Sequence, residues 1–186
     1  FDIIEEANDY YFPTLTNVYL KISRALITIA TVFFTPLFLL FMQNTEWLPK
    51  VFAFAALKDT VNIPLIYQFL ILELAIDGLR LAAMNTPSML STPLSVIAGI
   101  VLGEFAVKSG WFNSEVMLYM SFVAVANYTQ PNFELGYALK FMRLLLLLLT
   151  ALFNWIGFLI GTIIIFASIA FNKTLSGRNY LNVKLN

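Results

Sequence analysis

The sequence predicts an all-α fold, a polytopic membrane domain of about five helical segments, some of them short or re-entrant. Three observations carry this prediction. No charged residue occurs from Leu144 to Asn172, a run that would extend roughly 43 Å as a helix against a hydrocarbon core of about 30 Å. The composition is 60% hydrophobic and 12% charged, with a mean hydropathy of +0.80. Further apolar stretches alternate with short polar turns, and no polar region is left over that could form a separate soluble core.

Residues 1–24 read as an interfacial or cytoplasmic lead-in, acidic and aromatic at first, with Lys21 and Arg24 marking the cytoplasmic side. The membrane domain is expected over 25–172. Its first span is the uncharged run Ala25 to Thr45, kinked at Pro36. Trp47, Pro49, Lys50, Lys58 and Asp59 place an interfacial turn before the second span, Ile63 to Met84. A third segment runs from Pro93 to Val107 and a fourth from Val116 to Tyr128. Both fall short of the ~20 apolar residues of a full span, so short spans and a re-entrant hairpin are both open. The polar stretch Asn127 to Asn132 reads as a loop before the last segment, which passes Lys140 and Arg143 and continues through the long uncharged run. Residues 173–186 form a C-terminal tail. The start at Phe1 rather than Met makes this the expected C-terminal part of something longer.

Composition also narrows function. The net charge is +0 without a basic block, so nucleic acid is not an expected partner. With no cysteine and no histidine, thiol redox chemistry, Cys/His metal sites and His-activated nucleophiles are excluded. No Gly-rich nucleotide loop is present. No cofactor, no metal and no enzymatic activity are expected.

The informative residues are therefore the polar ones that a bilayer would exclude. Glu73, Asp77 and Arg80 are spaced by four and three and share one helix face. They are either a neutralised cluster, with Arg80 pairing Asp77, or the wall of an ion path led by Glu73. In the third segment, Ser95, Gly99, Gly103 and Ala106 make a small-residue face with a GxxxG spacing. Ile97, Ile100, Val101, Glu104 and Lys108 lie on the other side, a combination suited to lining a cation pore. The competing reading pairs Glu104 with Lys108 at i,i+4 near the interface. Gly157 and Gly161 offer a second packing face, and Asn154 a hydrogen bond to another helix.

Several tracts resemble the A subunits of the bacterial spore germinant receptors over nearly the whole chain. They are Asn62-Ile63-Pro64, Leu72-Glu73 through Leu79-Arg80, Pro93 to Gly103, Ala106 to Gly110, and Thr129 to Arg143 with its Asn132-to-Leu139 core. The resemblance implies a subunit of an oligomeric complex in the spore inner membrane, working with other germination membrane proteins and releasing monovalent cations. It makes the Pro93-to-Lys108 helix the expected pore element. In the family a large soluble domain is expected before the first span and a Pro-containing tail after the last, and these 186 residues include neither. The expected function is thus one subunit of a homo-oligomeric cation channel in the lipid bilayer. A non-conducting structural subunit and a secondary transporter are the alternatives, although no internal repeat supports the transporter.

Overall fold

The computed structural model describes residues 14–49, 56–58, 61–85, 96, 99–130 and 133–171. In chain order the elements are α1 (Thr14–Gln43), α2 (Leu65–Asn85), a π-helical segment π1 (Gly99–Phe105) running into α3 (Ala106–Lys108), α4 (Ser114–Tyr128) and α5 (Phe133–Phe171). The fold is all-α, and α1 and α5 carry windows long and apolar enough to cross a membrane. The lead-in before Thr14 and the tail after Phe171 lie outside the described residues.

Local chemistry sets most boundaries. α1 extends N-terminally beyond the uncharged run and takes Lys21 and Arg24 into its first half. After Gln43, a 3-10 turn Thr45–Trp47 leads to Leu48, which is extended as the residue before a proline should be. α2 starts directly after Pro64, whose carbonyl accepts from Tyr67 N at 3.0 Å and Gln68 N at 3.3 Å. α3 ends at Gly110, whose φ of 72° supplies the left-handed residue that closes a helix. At 15 residues α4 is short for a span, as expected of the fourth segment.

α5 corrects the reading of the last segment as one continuous helix. Its 39 residues would run roughly 58 Å if straight, nearly twice the ~30 Å hydrocarbon core. The helix instead breaks at Asn154 (φ 54°, ψ −133°). A Cβ built on Gly161 would lie 3.6 Å from Leu146 Cα and 2.5 Å from its Cδ1, which a straight helix cannot bring about. The chain therefore reverses at Asn154. It forms a helical hairpin with arms of residues 133–153 and 155–171, each rising roughly 25–32 Å, the length of one crossing.

The chain divides into two compact units. One holds α1 through Leu40 and the chain from Ala126 onward. Its core joins Val32, Leu139, Leu146 and Ile165, with Phe33, Leu135, Met142, Phe158 and Ile169 packed around them. Leu135, Leu139, Met142 and Leu146 recur every three or four residues, the apolar face of the first arm. Phe33 of α1 meets Phe158 of the second arm edge to face, with centroids 6.3 Å apart. The other unit covers Phe41–Val125. It buries Phe69 and Leu72 on α2 and Val116, Met120 and Val123 on α4.

Candidate functional site

Within the first unit, polar side chains gather along one face of α1. Thr28, Thr31 and Thr35 are spaced by three and four residues and so share a stripe. Thr28 Oγ1 donates to Arg24 O at 2.8 Å and approaches Gln130 Oε1 at 3.4 Å. Thr31 Oγ1 donates to Ile27 O at 2.8 Å, while the Thr31 carbonyl accepts from Arg143 Nη1 at 2.9 Å. Arg143 is 2% exposed and Lys140 6%, although their sequence positions suggest boundary charges. A buried guanidinium is tolerated only where acceptors meet it, and the main-chain oxygen of α1 is one of these. Asn127 is buried in the last turn of α4 rather than in a loop, and its Oδ1 has no hydrogen-bond partner among the described residues.

This cluster was missed by the sequence reading. Two signals could have found it: a pair of cations three apart on an otherwise apolar helix, and a threonine stripe beside Pro36. Proline has no N–H for the carbonyl four residues back, that of Val32, which weakens this turn of α1, and Arg143 reaches the neighbouring carbonyl of Thr31.

In the second unit, Glu73 is the most buried of the predicted charge cluster at 3% exposure, and Asp77 and Arg80 are half-buried. None of the three stands free of partners. One turn earlier, Gln68 forms an amide clasp that the sequence did not announce. Its Nε2 donates to Asn113 Oδ1 and to Ile63 O, both at 2.8 Å, and its Oε1 accepts from Asn113 N at 3.0 Å. Both N–H groups and the oxygen of the Gln68 amide are thereby used in a buried setting, which fixes the approach to α4 against the start of α2.

The third segment carries the predicted pore residues. Ile97 lies outside the described residues, and the side chain of Val101 does too. Ile100 and Glu104 are exposed, as are Val96 and Phe105. Glu104 and Lys108 form an ion pair on one face, both largely exposed, as the i,i+4 spacing allows. A Cβ added to Gly99 or Gly103 would meet nothing within 4 Å among the described residues, so none of these covers either glycine. One correction concerns geometry. Residues 99–105 are π-helical, wider than the α-helix assumed from the spacing, so face assignments based on 3.6 residues per turn drift along this stretch.

The second glycine pair is used within the chain. A Cβ on Gly157 would fall 1.8 Å from Leu149 O and 3.0 Å from Phe153 Cβ. Gly157 and Gly161 let the two arms of α5 close on each other, and Asn154 is the turn between them. No group of three metal-capable side chains occurs among the described residues.

The family described as Bacillus/Clostridium GerA spore germination protein matches residues 1–186. The chain is similar to stage V sporulation protein AF of Bacillus subtilis (strain 168), 34% identical over 175 residues, which cover 94% of this chain and 36% of that protein. Spore germination protein A1 of the same organism is 21% identical over 183 residues, 97% of this chain and 38% of that protein. Spore germination protein GerIA of Bacillus cereus is 24% identical over 169 residues, 89% of this chain and 26% of that protein. The chain thus spans about a third of the length of these relatives. No solved structure matches it.

Proposed function

The chain belongs to the GerA spore germination protein family, and from that premise we propose that it is the membrane domain of a germination subunit whose copies assemble around a cation-conducting pore. The observation that carries this reading is the third segment. It presents two glycines that no described residue covers and, beside them, Ile100, Phe105 and the charged pair Glu104–Lys108, all exposed among the described residues. At bilayer depth a carboxylate and an ammonium need water or a protein partner. An assembly in which Gly99 and Gly103 pack against a neighbouring copy would place Glu104 and its apolar neighbours Ile97, Ile100 and Val101 around a shared lumen. The acidic ring would attract monovalent cations and the apolar ring would gate them. The resemblance points to the spore inner membrane and to other germination membrane proteins as partners.

The Glu104–Lys108 pair favours one alternative, a structural subunit without conductance. A carboxylate neutralised by its own ammonium contributes no net charge to a ring. Conductance separates the two readings. The purified oligomer, reconstituted into planar bilayers, is expected to pass K⁺ or Na⁺ in preference to Cl⁻. Silent bilayers containing verified oligomer would leave the structural role.

A further inference from the structure

Four threonines of the helices behave alike. Thr28, Thr31, Thr150 and Thr162 each turn the hydroxyl back to the carbonyl four residues earlier, at 2.7–2.8 Å. Thr35 departs from them. It is 0% exposed, and its Oγ1 has no hydrogen-bond partner among the described residues. The carbonyl it would use is that of Thr31, and that oxygen receives Arg143 Nη1 at 2.9 Å. The next residue is Pro36, which has no N–H to give to the carbonyl of Val32 and makes this the weakest turn of α1.

We propose that the Thr31 carbonyl is a two-position latch at the Pro36 turn of α1, held either by Arg143 from α5 or by the hydroxyl of Thr35. In the first position, seen here, the guanidinium holds the Thr31 carbonyl from outside α1, and the Thr35 hydroxyl is left buried without a partner among the described residues. In the second, Arg143 withdraws, the hydroxyl closes on the Thr31 carbonyl, and the turn draws in on itself. Back-bonding threonines and prolines both bend helices, so exchanging one donor for the other changes the bend at this turn. The buried, unbonded hydroxyl raises the energy of the first position and keeps the two positions close in free energy. The latch lies in the first unit and does not depend on the pore reading.

The chain has no cysteine, so spin labels at Leu26→Cys and Gln43→Cys, on either side of this turn of α1, report its bend by pulsed electron–electron resonance in liposomes without any ion flux. Arg143→Met is expected to move the main distance peak to a new value. Thr35→Val is expected to keep the native peak and to raise the thermal midpoint by ~2–4 °C, because an unbonded hydroxyl is removed. The double variant has neither donor and should give a distribution broader than either single variant. A native peak in Arg143→Met overturns the latch, as does a double variant indistinguishable from Arg143→Met. A lowered midpoint in Thr35→Val also overturns it, since the hydroxyl would then have a partner. If Arg143→Met does not fold, Arg143→Lys replaces it: the shorter ammonium should populate both peaks, and the native peak alone overturns the proposal.

Discussion

Gly157 lies so close to the main-chain oxygen of Leu149 that a Cβ at this position would stand 1.8 Å from it. The two residues belong to opposite arms of α5, and their approach is what lets an uninterrupted apolar run fold back through a single residue, Asn154. Main-chain approach of this kind, with a glycine at the crossing, is how helices pack where lipid offers no hydrophobic drive.

Distance across α5 tests the hairpin directly. Spin labels at Phe141 and Phe166, both exposed, would stand roughly 38 Å apart along a continuous helix and much closer in the hairpin. A peak near the longer value in liposomes would show that the arms do not fold back. Asn154→Gly should preserve the short distance, because glycine accepts positive φ without steric cost. Asn154→Val should lengthen or scatter it, since a β-branched residue resists that backbone conformation.

Alanine at the two glycines of the hairpin should differ in its cost. The Gly161 Cβ would press on Leu146 Cδ1 at 2.5 Å, the end of a side chain that can rotate, so Gly161→Ala is expected to cost ~1–3 kcal/mol. Gly157→Ala meets a carbonyl that cannot move without moving the arm, and should cost more. Unfolding both variants in mixed micelles gives the order, and equal stabilities would mean that the arms are not held at Gly157.

Gly99→Leu and Gly103→Leu probe the glycine face of π1. Because no described residue comes within 4 Å of either added Cβ, neither variant should disturb the fold of the subunit. Both should reduce the yield of oligomer in mild detergent if copies meet at this face. Intact oligomer in both variants would place the subunit contact elsewhere.

Flux and assembly measured together decide what Glu104 does. Breaking its exposed pair with Lys108 should change stability by no more than ~1 kcal/mol, so Glu104→Gln should assemble. In a pore it should lower cation conductance, and Glu104→Lys should lower it further. Val101→Ala should raise unstimulated leak by widening an apolar constriction. Assembled variants with unchanged flux would remove this helix from the pore.

Much of this molecule was legible in its residues. Uninterrupted hydropathy fixes helices in a bilayer, because backbone groups there have no other way to be satisfied. Spacing alone placed Glu104 within reach of Lys108, and the tracts from Asn62 to Arg143 carried the family. Tertiary structure decided three things that pattern could not. The long run reverses at Asn154, which no proline or polar loop announces, because the stretches on either side of it, 144–153 and 155–171, carry no charge and have no charged face whose phase could change. Lys140 and Arg143 are buried within the protein, and the oxygen that receives Arg143 belongs to a helix more than a hundred positions away, near Pro36. Gly157 and Gly161 serve the chain's own hairpin, whereas Gly99 and Gly103, of the same spacing, meet none of the described residues. A small-residue motif records that something approaches closely, and only the path of the chain determines what does.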